Sequence, residues 1–347
     1  MRVLHPGYGD RSRKPSCFES GAIRRGYPFG DLREPVSMHR IRFDRGEHQA
    51  RRKAGEWIMV ETCYIPKDLA EALRIRKETG AHPIAGGTDL MVSHRRGTGV
   101  VPKFPWPVMI ITQLKELQKI EEEDGEVSIY AGSTCHEIEV AELVPYQVRK
   151  AASLMGAQSL RNLATIGGNI CNASPKGDLP VPLIMLDARV ELVSATGKRQ
   201  MLLDEFIDGP KRTKLQDDEL LARIIIPQPK APFTYLWYRK IGTRRANAIS
   251  KLSMSAAATV DTHGIIVDFR SANGASGPKV ARSRAVEETI IGLSVDRLAE
   301  RLPAFLDAYD VILSPQAMPQ YRRSSTRRML EFFLSEVSKR PDTTIIE

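Results

Sequence analysis

The spacing of apolar positions assigns elements along most of the chain from Met59 onward. Asp68–Thr79 places Leu69, Ala72, Leu73 and Ile75 on one side, the spacing of an amphipathic helix. Gly80 is a natural stop. Pro83-Ile84-Ala85 reads as a short buried strand that ends at Gly86-Gly87. Val108–Thr112 and Val127–Ala131 are further apolar runs. Glu137–Glu142 begins a helix and Pro145–Met155 forms another, followed by a loop over Gln158–Asn172. Val190–Ser194 and Leu221–Ile226 read as strands, the second closed by Pro227-Gln228-Pro229.

Pro227–Pro232 holds three prolines and few bulky residues, so it reads as a linker. Beyond it, Thr234–Arg239, Ser253–Val260 and Ile265–Ala272 fit an antiparallel sheet. His263-Gly264 supplies the tight turn between the last two. Ala281–Ile291, Ser294–Ala308 and Ser324–Ser338 read as helices. Strands followed by helices describe a smaller α+β domain.

At 347 residues the chain has room for two domains, each with its own core. No apolar run is long enough to span a bilayer, and the start lacks an apolar segment of the secretory type. Membrane insertion is therefore not expected. The net charge of +9 would suggest nucleic acid, but residues 1–53 alone carry 13 Lys or Arg against 6 Asp or Glu. A nucleic-acid binder carries its basic stripe on the folded domain, among stacking aromatics. No nucleic-acid partner is expected. Residues 1–58 read as a disordered or non-native extension, with Met59 as the favoured start; an organelle transit peptide fits less well, because acidic residues and Gly-Pro breaks interrupt the segment.

Cys17, Cys63, Cys135 and Cys171 show no CxxC spacing and no zinc pattern with histidine, so no metal site is assigned. Few, scattered cysteines suit a reducing cytosol, and the expected location is cytoplasmic. Cys135-His136 is a tempting pair for nucleophilic catalysis, but no orienting acid accompanies it, and core packing is the better reading. The Arg322–Arg328 cluster reads as a solvated helix face. No catalytic residue is assigned.

Chemistry concentrates in two loops. In Ile84-Ala85-Gly86-Gly87-Thr88-Asp89-Leu90 a strand runs into two glycines, a hydroxyl and a carboxylate. Glycine lets backbone approach a ligand closely, and successive N–H groups can converge on a pyrophosphate. Alone, a tight turn with Thr88 or Asp89 as a helix cap explains it equally well. Thr165-Ile166-Gly167-Gly168-Asn169 repeats the arrangement, and Ser174-Pro175-Lys176-Gly177-Asp178-Leu179-Pro180 follows as a rigid loop with one carboxylate. Two such loops in one chain are hard to produce by accident. Neither is GxGxxG or a P-loop, so a dinucleotide would lie across two loops rather than in the Rossmann manner.

With these motifs, and Lys240-Ile241-Gly242-Thr243-Arg244-Arg245, the chain from about Met59 to Val337 resembles the FAD-binding medium subunit of the molybdenum hydroxylases, the family of xanthine dehydrogenase and carbon monoxide dehydrogenase. The Ser-Pro loop departs slightly, with Pro180 one place early. The resemblance implies an α+β fold: a PCMH-type FAD-binding domain of two α+β subdomains over residues 59–229, then a smaller C-terminal α+β domain, antiparallel sheet plus helices, over 230–340. It implies FAD on this chain. Pro83, Ile84, Ala85, Gly86, Gly87, Thr88, Asp89 and Leu90 would wrap the pyrophosphate and reach the flavin, with Leu90 against the isoalloxazine. Thr165, Ile166, Gly167, Gly168 and Asn169 would supply the second phosphate loop, Asp178 would bond a polar group of the dinucleotide, and Lys240 would lie near the flavin edge. Met155 falls where some relatives place an aromatic. The implied activity is oxidoreductase: electrons pass from 2Fe–2S clusters on a small partner, fed by a large molybdopterin-binding subunit, to FAD and then to NAD or another acceptor. A stand-alone PCMH-type flavin oxidoreductase and a flavin-free scaffold subunit are the rival readings.

Overall fold

The computed structural model describes residues 62–97, 103–244, 246–339 and 344–346. The extension expected over 1–58, the start at Met59 and Arg245 lie outside them.

Asp68 stops an extended stretch and caps the first helix, Leu69–Thr79: its carboxylate accepts the Glu71 N–H at 2.8 Å, and Gly80 closes the helix in the left-handed conformation at φ 65°. The expected apolar side packs as expected, Ala72, Leu73 and Ile75 against Met109, Leu114 and Leu117. Beside it lies a parallel sheet ordered Cys63–Tyr64, Val108–Ile110, His82–Ile84. Pro83 sits in an edge strand, where a missing N–H costs no ladder bond.

The second subdomain is a five-stranded antiparallel sheet, ordered Ile120–Glu123, Glu126–Tyr130, Leu220–Pro227, Arg189–Ser194, Gly197–Leu202. Its central strand is covered on both faces. Leu220 and Ala222 point to the core beneath the first helix, whereas Leu221, Ile224 and Ile226 point to a second core, the two-residue alternation of a strand shifted once by a bulge at Leu221/Arg223. Cys135–Val140 and Tyr146–Ser153 cover that second core. The former begins with a capping box, in which Thr134 and Glu137 bond each other's backbone N–H.

The segment 158–172, expected as loop, contains two short helices, Gln158–Arg161 and Ile166–Cys171. Glycines depress helix propensity, but Thr165 caps the second helix and Ile166 and Ile170 bury one side of it. A further helix, Pro180–Met185, follows the Ser-Pro loop with a proline at its start.

The C-terminal sheet is ordered Ile266–Gly274, Leu252–Val260, Tyr235–Ile241, Thr344–Ile345. The expected hairpin turn forms, with Gly264 at φ 75° and the Asp261 carboxylate accepting the N–H groups of His263 and Ile265. One face buries Trp237, Met254 and Phe269 against Leu298–Val311 and Pro319–Lys339. Through the other, Ala257 and Ala272 join the core that contains Leu183 and Ile184. The helix expected over Ala281–Ile291 shrinks to one turn, Arg284–Glu287, because Ala281 pairs in both directions with Asn273 and stays extended.

The Arg322–Arg328 cluster is not a solvated face. Arg322 is buried and donates to Ala275 O, while Arg323 donates to Asp310 O and Leu313 O at the end of the neighbouring helix. A guanidinium satisfies helix-terminal carbonyls that lack intrahelical donors. Of the stretch, Ser324 and Arg328 are exposed.

Candidate cofactor site

The first glycine loop leaves the His82–Ile84 strand and enters a single helical turn, Leu90–Ser93. Gly87 takes φ 66°, which glycine adopts without steric cost. Among the described residues, the N–H groups of Ala85, Gly86, Gly87, Thr88 and Asp89 have no acceptor within the chain, whereas the Gly87 and Asp89 carbonyls are taken by Met91 and Ser93. Buried amides are nearly always paired; five consecutive free ones on a partly exposed loop form a donor array suited to an anion. Ile84 is 5% exposed and packs with Phe104 and Val108, and Leu90 leans on the same cluster. Both expected contact residues thus build the floor.

The second loop has a different character. Ile166 N–H donates to Ser133 O, Gly167 N–H to Ala131 O, Gly168 N–H to the Thr165 hydroxyl at 3.1 Å, and Asn169 N–H to Thr165 O. Its amides are spent inside the protein. A Cβ on Gly167 would meet Ala131 at 2.7 Å, so that glycine serves close packing. Gly168 is exposed, and a Cβ there would touch nothing nearer than the Thr165 hydroxyl at 3.1 Å. Asn169 Oδ1 is buried without a hydrogen-bond partner, an acceptor that costs free energy until a donor reaches it.

The structure brings the loops together. A Cβ on Gly86 would lie 1.8 Å from Leu163 O and 3.1 Å from Ala164 Cα, so the first loop rests on the backbone that leads into Thr165. Lys211, outside every motif, bridges them: its ammonium donates to Asp89 Oδ2 at 3.1 Å and Asn172 Oδ1 at 2.5 Å. The sequence signal for it is the turn Pro210-Lys211 between Gly209 and Arg212.

Asp178 and Lys240, both expected at the cofactor, pair with each other. Lys240 Nζ lies 2.6 Å from Asp178 Oδ2 and also donates to Leu154 O at 3.0 Å, while Ser250 and Tyr238 hydroxyls reach Asp178 Oδ1 at 2.5 and 3.4 Å. Burial pushes the Asp178 carboxyl up, against the pull of Lys240 and the two hydroxyls. The carboxylate expected to bond the dinucleotide is occupied by this chain's own donors, and no hydrogen bond of the described residues joins the pair to either glycine loop. Lys240 is neither a solvated lysine nor a free cation. It lines a cleft of about 760 Å3 with Tyr146, Lys150, Leu154, Gly242 and Thr243.

Cys135 is fully buried with its sulfur 3.8 Å from Met155, and burial pushes its thiol up to about 12. His136 points elsewhere, to Gln158 and Glu139. The core reading holds for Cys135, against which Met155 packs, whereas His136 lies outside the core with its side chain about half exposed. Burial also pushes the Cys171 thiol up to about 12.

The free amide array and the glycine contacts fit a dinucleotide phosphate, and the partnerless Asn169 acceptor fits a ligand hydroxyl rather than a phosphate oxygen. The comparisons agree in kind. Residues 58–229 match the family described as the FAD binding domain in molybdopterin dehydrogenase, and residues 237–337 match the CO dehydrogenase flavoprotein C-terminal domain. The chain is 34% identical over 262 residues to the nicotinate dehydrogenase FAD-subunit of Eubacterium barkeri, covering 72% of this chain and 86% of that one. It belongs to the FAD-binding subunits of the molybdopterin dehydrogenases. A second relative of this FAD-binding subunit is the xanthine dehydrogenase FAD-binding subunit of Escherichia coli O157:H7, 29% identical, covering 77% of this chain and 88% of that one. Reconstituted CO dehydrogenase from Oligotropha carboxidovorans shares the fold with a TM-score of 0.72 at 22% identity, over 80% of this chain and 98% of that chain. The expected α+β architecture and oxidoreductase class are those of this family. Among the described residues no helix is long and apolar enough to cross a membrane.

Proposed function

We propose that this subunit is the electron-exit module of a cytoplasmic multi-subunit molybdenum hydroxylase, with a PCMH-type FAD domain over residues 59–229 and the C-terminal domain over 230–340. The observation that carries the reading is the run of five free amides, Ala85 to Asp89, lying on the backbone that precedes Thr165. Bound FAD would supply the redox chemistry, taking electrons from 2Fe–2S clusters of a small partner that a large molybdopterin-binding subunit feeds, and passing them to NAD or another acceptor. The chain's own residues bind and orient. The amides from Ala85 to Asp89 hold the pyrophosphate; Gly86 and Gly87 allow its close approach, with Thr88 as a further donor. Gly168 leaves room for the ligand, and Asn169 accepts from it. Pro83, Ile84, Leu90, Thr165, Ile166 and Gly167 hold the two loops in place. Asp178 and Lys240 fix the seam behind them.

The test is reconstitution followed by pull-down. The purified chain, incubated with FAD and desalted, is expected to retain the visible flavin bands at one FAD per chain. In cell extract it is expected to co-purify with a large molybdenum-containing and a small iron–sulfur chain. Flavin without partners would favour the stand-alone oxidoreductase; partners without flavin would favour the scaffold.

A further inference from the structure

The two glycine loops contribute no cation: Ala85–Leu90 and Thr165–Asn169 hold one ionisable group, Asp89, and it is negative. A pyrophosphate seated there brings further negative charge beside a carboxylate. The structure places one ammonium where both loops converge, on Lys211. Its Nζ contacts Asp89 in the first loop and Asn172 at the end of the Ile166–Cys171 helix. We propose that Lys211 is a third element of the dinucleotide site: a positioning residue that neutralises Asp89, fastens the loops to each other and presents positive charge to the phosphates. The inference rests on the FAD reading above.

The backbone supports it. Lys211 occupies the second position of a two-residue turn at φ 60°, a conformation such turns ordinarily give to glycine or asparagine. Its N–H donates to Ala173 O at 2.9 Å, and Ala173 is itself at φ 43°. Two non-glycine residues in the left-handed region therefore hold the lysine against the loop junction. Such strain persists only where the surroundings impose it, and it gathers at ligand clamps. The ion pair itself is exposed, 59% and 62% for the two side chains. Exposed pairs contribute little to stability, so the fold gives no reason to hold an ammonium there, whereas a charge-assisted bond to a phosphate is strong.

Lys211→Asn keeps a residue that tolerates the left-handed turn and removes the charge; Lys211→Arg keeps the charge. The measurement is the FAD dissociation constant of the flavin-stripped full chain, by quenching of flavin fluorescence, with the thermal midpoint of the stripped protein recorded alongside. Lys211→Asn is expected to weaken FAD binding about tenfold to a hundredfold at an unchanged midpoint, with Lys211→Arg within about threefold of wild type. If Lys211→Asn lowers the midpoint, Lys211→Gly, which relieves the turn, gives the same reading. Equal affinity in wild type and Lys211→Asn, or equal loss in the Asn and Arg variants, would overturn the role of the charge. A wild-type chain that binds no FAD would overturn this proposal together with the functional reading on which it rests.

Discussion

Lys240 Nζ stands 2.6 Å from Asp178 Oδ2, with less than a tenth of either side chain exposed. The two groups arise 62 residues apart, one on a loop after the second glycine motif, the other in the C-terminal sheet. Leu154 O, Ser250 and Tyr238 complete the cluster. It locks the Tyr235–Ile241 strand to the flavin-binding part of the chain through largely buried groups.

Breaking that pair from one side leaves a buried charge without its partner. Lys240→Met is expected to cost about 3–5 kcal/mol, read as a lower urea midpoint. The double variant Asp178→Asn/Lys240→Met is expected to lose less than Lys240→Met alone, because no charge then remains buried. Equal losses in single and double variants would show that packing, not charge, governs the seam.

Much of this fold was legible in the sequence, and the failures have physical causes. Leu69–Thr79 was readable because its cap, apolar side and stop all agree. The Ile120–Glu123 strand escaped notice because it lies at a sheet edge and carries three glutamates, the charged dress of an exposed edge. The Ile166–Cys171 helix escaped because Gly167-Gly168 argues locally for a loop, while the cap and the burial of Ile166 and Ile170 act through tertiary contacts. The glycine loops are legible as motifs, but a motif does not say which amides remain free; that depends on the acceptors Ser133, Ala131 and Thr165, which take the N–H groups of Ile166, Gly167 and Gly168. Lys211 and the Asp178–Lys240 pair depend on contacts 122 and 62 residues apart, beyond any local pattern.

Gly86 has no room for a side chain. Gly86→Ala would force a Cβ to within 1.8 Å of the Leu163 carbonyl oxygen, a backbone atom that cannot swing aside. The variant is expected to lose about 1–3 kcal/mol or more and to bind FAD at least tenfold more weakly. Gly197→Ala, where a Cβ meets nothing within 4 Å, serves as the control and is expected to match wild type in both assays. A Gly86→Ala variant as stable as the control would contradict the close approach of the loops.

Asp187 supplies an acid-sensitive joint. Burial would raise its carboxyl pKa, but Arg282 and Arg284 outweigh that and hold it below the ordinary value of 3.8; Arg270 bonds it as well, at 3.1 Å. A lowered folded-state value means that its stabilisation is present in full above about pH 4 and disappears as pH falls through the folded-state pKa. Thermal midpoints measured from pH 6 down to pH 3 should therefore separate wild type from Asp187→Asn at the upper end, with the gap narrowing below about pH 4. A gap that does not change with pH would exclude the carboxylate as its source.

The contact of Gly86 with Leu163 and Ala164 has one more consequence. Because main chain meets main chain there, the distance between the two loops is not set by any rotamer that could relax, swell with temperature or be repacked by a neighbour. It behaves as a fixed gauge, cut to the thickness of a peptide group. Affinity for the ligand can be tuned around that gauge, through Lys211, Asn169 or Thr88, while the opening itself stays the same width.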